Sequence, residues 1–163
     1  LTVAIEVGVV MASLLFMRRM AHVSHAAFAS GGLDPDVEVP DNPRPIEERQ
    51  IPPGIEVFEI YGALFFAAVD SFKQAIEQVK DKPKVLILRM RFVIALDAAG
   101  LQALEELLDR SIRQGTTLLI SGTQQQPMNV MRKAGFLKRL GPNRVFENID
   151  MALAEARRIL ADK

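Results

Sequence analysis

The chain has no cysteine and only two histidines among its 163 residues. Without cysteine there can be no disulfide framework, no thiolate nucleophile and no cysteine-ligated zinc. Both histidines, His22 and His25, precede residue 51, so everything after it lacks the imidazole base that a Ser-His-Asp or Cys-His nucleophile requires. No acid stands at a spacing that would complete a metal site with them, and no metal is expected. An excess of either charge is also missing. Twenty Lys and Arg balance twenty Asp and Glu, so the strongly basic face that nucleic acid demands is not anticipated. No Walker-type lysine loop, internal repeat or low-complexity run is present, and no cofactor is expected.

What is present is apolar: 49% of the residues are hydrophobic, ample for the core of one ordinary domain with an appendage. Residues 1–17, LTVAIEVGVVMASLLFM, are apolar on all sides apart from Thr2, Glu6 and Ser13, and stop at Arg18 and Arg19. An apolar run ending at paired arginines reads as a membrane helix reaching its cytoplasmic face. At 1.5 Å per residue it extends about 25 Å, slightly short of a full crossing, so residues 1–20 are read as the end of a membrane helix. A signal peptide fits poorly, because its basic residues should precede the apolar run. Glu6 would face a protein interior or an aqueous cavity.

Residues 21–52 are punctuated by Gly31, Gly32 and five prolines and hold six acids against Arg44 and Arg49, a net of about −4. Proline fixes φ and interrupts helices, so the stretch is expected to be an extended connector. Residues 53–163 carry a net of about +3. There the pattern alternates. Ile55 to Ile60 and Ala63 to Phe66 read as two strands split by a turn at Tyr61-Gly62. Residues 67–80 carry Val69, Phe72, Ile76 and Val79 at helical spacing, and Val85 to Leu88 is a run of the buried-strand kind. Phe92 to Leu96 leads to Asp97, a good N-cap, and a helix with Leu101, Leu104, Leu108 and Ile112 on one face, ended by Gly115. Thr116 to Ile120 is a further strand. Pro127 opens a helix through Leu137 that Gly141-Pro142 closes, Val145-Phe146 is a short edge strand, and Asn148 caps a last helix. Strands alternating with helices imply a mostly parallel sheet flanked by helices.

One stretch is more specific. From Lys84 to Gly100 the chain reads KVLILRMRFVIALDAAG: a buried strand, a short excursion, then Asp-x-x-Gly at the mouth of a helix. This resembles the STAS domain, found in bacterial anti-sigma-factor antagonists and at the C-terminus of sulfate permease (SulP, SLC26-type) anion transporters. The segments Pro53 to Phe66, Asp97 to Gly100 and Leu118 to Gly122 fall in the family's order, and the run ending Leu14 to Met20 looks like the last transmembrane helix of sulfate permease homologues. The short connection Lys80 to Lys84 resembles bacterial members. The resemblance implies an α/β fold, a single STAS domain over residues 53–163 with a mixed, mostly parallel sheet, behind a membrane-helix end (1–20) and a linker (21–52). It implies a non-catalytic regulatory or interaction domain of a membrane anion transporter, on the cytoplasmic side of the inner (plasma) membrane. Its first partner would be the transmembrane part of the same protein. The oligomeric state stays open.

The family's antagonists carry a phosphorylatable serine in the motif at this helix start, where free N–H groups and the helix dipole suit a phosphate. Here those positions are Ala98 and Ala99, which have no hydroxyl. The alternative, a stand-alone antagonist-like signalling protein, thereby loses its switch. Asp97 is read first as a helix cap. The mouth formed by Asp97, Ala98, Ala99 and Gly100, with the loop Ser121-Gly122-Thr123, could hold an anion or a nucleotide phosphate on backbone amides. Arg89, Arg91, Arg132, Lys133, Lys138, Arg139 and Arg144 are the candidates for an interaction face toward an acidic protein, acidic lipid or the chain's own connector, Asp34 to Glu48. A solvated helix face is the plainer reading. The paired acids Glu105 and Glu106 lie on a helix surface, with no pocket evident for catalysis.

Overall fold

The computed structural model describes residues 2–23, 25–28, 51–64, 66–77 and 82–162. The elements are α1 (Thr2–Val23), β1 (His25–Phe28), β2 (Ile55–Leu64), α2 (Phe66–Glu77), β3 (Val85–Leu96), α3 (Ala98–Gln114), β4 (Thr117–Ser121), α4 (Gln125–Lys133), α5 (Phe136–Leu140), β5 (Val145–Phe146) and α6 (Ile149–Ala161). The five strands lie side by side in the order in which they occur in the chain. β2 to β5 are parallel and β1 runs antiparallel on the edge of β2.

Sequential order explains the layering. Right-handed crossovers between neighbouring parallel strands put the intervening helices on the same face of the sheet. Phe58, Leu64, Leu88, Met90 and Ile120 accordingly pack against Phe72 of α2, Leu104 and Leu108 of α3, Met131 of α4 and Phe136 of α5. The alternate residues Ile55, Val57, Val85, Ile87 and Leu119 face the other way, onto Ile149, Ala152, Leu153 and Ala156 of α6. Both faces are covered along this half of the sheet, which is why Val85 to Leu88 reads as continuously apolar.

The structure differs from the sequence expectation in four places. β2 is one strand: Gly62 takes φ +83° and sits between two register shifts against β3, so the glycine serves a bulge within the strand. β3 likewise runs unbroken from Val85 to Leu96, because β2 pairs with it along its whole length. The helix expected from Pro127 begins at Gln125 and divides into α4 and α5 at Gly135, which is left-handed at φ +78°. Residues 25–28, within the expected connector, form an edge strand whose backbone pairing with β2 outweighs a weak local propensity. Val79 and the acidic stretch Asp34 to Glu48 lie outside the described residues.

Candidate functional site

Asp97 stands at the junction of β3 and α3 with extended backbone, and its carboxylate accepts the Gly100 N–H at 2.8 Å. The cap expected from sequence is therefore formed, and it occupies one of the amides an anion would need. Gly100 is there for space: a Cβ on it would lie 2.2 Å from the Leu64 carbonyl oxygen. The helix mouth is thus pressed against the end of β2. Ala98 is exposed and Ala99 half-buried.

Gly122, at the end of β4, has φ +70°, donates its N–H to the Phe146 carbonyl at 3.0 Å, and packs so that a Cβ would lie 3.0 Å from Arg91 Cβ. The Ser121 and Thr123 hydroxyl oxygens are buried and make no hydrogen bond among the described residues. This loop and the α3 mouth sit at the same end of the sheet and are tied together by glutamines. Gln126 accepts the Leu96 N–H at 2.9 Å and donates to the Leu96 carbonyl at 3.2 Å, and Gln124 donates to the Arg91 carbonyl at 2.7 Å. β4 pairs with β3 only as far as Arg89. The amide side chains satisfy backbone groups that the longer strand leaves beyond it.

The basic residues do not converge. Arg89 is buried in the sheet, with Nη1 3.0 Å from Glu59 Oε1 across the β2–β3 register pair. Arg91 Nε lies 3.8 Å from the same oxygen, and its guanidinium carbon is 4.2 Å above the Phe92 ring. The Tyr61 hydroxyl donates to Glu59 Oε2 at 2.9 Å, and its ring stacks on Phe92 with centroids 5.0 Å apart. Burial is the first cause that pushes the Tyr61 phenol well above its ordinary value, with the Glu59 carboxylate adding to it. These residues continue up the strands on the α6 side. Arg132, Lys133, Lys138 and Arg139 instead ride α4 and α5 across the sheet, all exposed. There Arg139 pairs with Asp109 at 2.6 Å and Glu105 at 3.6 Å, and Arg132 donates to Asn129. Arg144 is half-buried beside β5, its carbonyl accepting the Ile120 N–H at 2.8 Å.

Sequence reasoning missed Glu59 and Tyr61. The signal was available: an acid in the middle of the largely apolar run of β2 and arginines in the middle of that of its parallel neighbour mark a buried pair. It also missed a cleft of about 280 Å³ between α2 and α3, remote from Asp97, whose floor includes Phe72, Ile76 and Leu107. Lys73 bridges it to Glu106 at 2.6 Å, and that hydrogen bond holds the Glu106 carboxyl below its ordinary value. Among the described residues no cluster of His, Asp and Glu could hold a metal ion.

A family model of the STAS domain matches residues 48–154. The putative sulfate transporter YvdB of Bacillus subtilis (strain 168) is 27% identical over 151 residues, which is 92% of this chain and 26% of that protein. The chain thus spans about a quarter of this relative's length. A sulfate transporter family protein from Wolinella succinogenes superposes with a TM-score of 0.69 at 38% identity, covering 74% of this chain and 99% of that one. The SulP transporter STAS domain from Vibrio cholerae gives a TM-score of 0.61 at 30% identity, covering 70% and 89%.

Proposed function

The chain belongs to the STAS domain family, and on that premise we propose that it is the cytoplasmic regulatory domain of a SulP/SLC26-type membrane anion transporter, joined to the membrane part through α1. On this reading residues 1–20 are the cytoplasmic end of a transmembrane helix at the inner membrane, 21–52 the connector and 53–163 the domain. The observation that carries the reading is the surface of α1. Val3, Ile5, Val7, Val9, Val10, Met11, Leu14, Leu15 and Phe16 are all more than half exposed, on every side of a helix that leads directly into a STAS sheet. Water opposes such a surface, whereas lipid and neighbouring membrane helices accept it. The Ser13 hydroxyl donates to the Val9 carbonyl at 2.8 Å and so needs no water, as depth in a bilayer requires. No helix among the described residues is by itself long and apolar enough to cross a membrane.

The mechanism is binding. The domain packs beneath the transmembrane part, or recruits a cytosolic partner, and biases the transport cycle through differential contact with its states. No catalytic step belongs to it. The antagonist alternative fares worse, because Ala98 and Ala99 stand where the switch needs a hydroxyl. The test is uptake of labelled sulfate, hydrogencarbonate and dicarboxylates by the full-length protein, with and without residues 53–163, normalised to membrane-inserted protein. Uptake per inserted molecule should change. A fall confined to the inserted amount would reduce the role to assembly, and absence of transport by either form would overturn the transporter reading.

A further inference from the structure

The cleft between α2 and α3 is separate from the sheet end described above, and its lining is uneven in a way that selects a ligand class. Its floor is core: Phe72, Ile76 and Leu107 are nearly inaccessible as side chains, yet they line the opening. Its rim is charged, and most of that charge is neutralised locally. Lys73 pairs with Glu106, and Asp109 with Arg139. Arg110 and Arg113, one helical turn apart on α3, form no ion pair or side-chain hydrogen bond among the described residues. Among the described lining residues three bases (Lys73, Arg110, Arg113) stand with three acids (Glu77, Glu106, Asp109), and the two guanidiniums are the basic groups that no ion pair already holds. A second, much smaller pocket of about 20 Å³ shares Ile76, Leu107 and Arg110 with the cleft and reaches Thr116, whose hydroxyl donates to the Pro83 carbonyl at 2.7 Å.

We propose that this cleft binds a small amphipathic carboxylate, its apolar body on Phe72, Ile76 and Leu107 and its head group on Arg110 with Arg113 beside it. The planar guanidinium fork matches a carboxylate's two oxygens, and an apolar floor rewards a ring or short chain that a bare oxyanion lacks. Size sets the class. At about 280 Å³ the cleft stands near the lower end of small-molecule sites, roughly 300–1,000 Å³, which suits a single ring or short chain with a small head group. A ligand of that size binds at about millimolar strength. The apolar floor disfavours sulfate itself, so this site differs in chemistry from the proposed transport function and stands without it.

The test uses the whole chain in zwitterionic-lipid nanodiscs, labelled at Ile and Leu methyls and titrated with benzoate. Benzamide serves as the neutral ring and acetate as the bare head group. The Ile76 and Leu107 methyls should shift saturably with benzoate while Ile87 and Ile149, on the other face of the sheet, stay still. Arg110→Gln should weaken benzoate about five- to tenfold with the remaining methyl spectrum unchanged, which shows the variant folded. Arg132→Gln, on α4, should leave binding as it was. Equal binding of benzamide would overturn the proposal, since it would mean an apolar cleft indifferent to charge. So would saturable shifts away from Ile76 and Leu107, or none up to about twenty times the millimolar range expected.

Discussion

The buried pair of Glu59 and Arg89 makes a quantitative test of how this sheet is held. Both side chains are about 95% inaccessible, at 4% and 5% exposure, and their charged atoms approach to 3.0 Å. An exposed pair would contribute about 0–1 kcal/mol, but removing one member of a buried pair costs about 3–5 kcal/mol because the survivor stays desolvated. Glu59→Leu strips Arg89 and Arg91 of a shared carboxylate and the Tyr61 hydroxyl of its acceptor, so the upper part of that range is expected. Arg89→Met leaves Glu59 with Tyr61 and Arg91 still facing it, and should cost less, about 2–3 kcal/mol. The double variant removes both charges and replaces them with apolar volume, and should recover to within about 1 kcal/mol of the native chain. The assay is urea unfolding followed by circular dichroism, with the coupling taken from the double-mutant cycle. If both single variants cost under about 1 kcal/mol and the double variant is their simple sum, the pair behaves like a surface contact and the reasoning from burial fails.

Tyr61 is the chain's one tyrosine, so phenolate absorbance reports on it alone. Its folded value lies above the ordinary 10, so the stability it contributes is fully present below about pH 10 and is lost as pH rises past it. Phenolate should appear only together with unfolding, and a reversible titration near pH 10 in the folded chain would contradict the buried geometry. At the α3 mouth, Asp97→Ala should cost about 1 kcal/mol as a lost cap. Gly100→Ala, which drives a Cβ into the Leu64 carbonyl, should cost about 3 kcal/mol or more, and thermal unfolding should rank the two in that order.

Local signals in the chain carried much of the domain. The caps at Asp97 and Asn148, the left-handed stop at Gly115 and the helical spacing of Leu104 and Leu108 depend on near neighbours in the chain, and each is found where the pattern puts it. The STAS order of elements was legible for the same reason, as was the absence of a hydroxyl at positions 98 and 99. Strand continuity was not. Gly62 and the Arg89–Phe92 stretch look like breaks in isolation, and only pairing between β2 and β3 makes them bulges inside long strands.

The sites divided along the same line. Residue types alone determined which chemistries the chain lacks, because a missing thiol, or a missing hydroxyl at positions 98 and 99, cannot be restored by folding. Tertiary structure decided where the charges went. Register placed Arg89 opposite Glu59 in the sheet, the sheet put Arg132 and Lys133 on the far side from Arg91, and packing of α2 on α3 left Arg110 and Arg113 over an apolar floor. Such juxtapositions join residues thirty or more positions apart, and their energies depend on burial, which no short window of sequence contains.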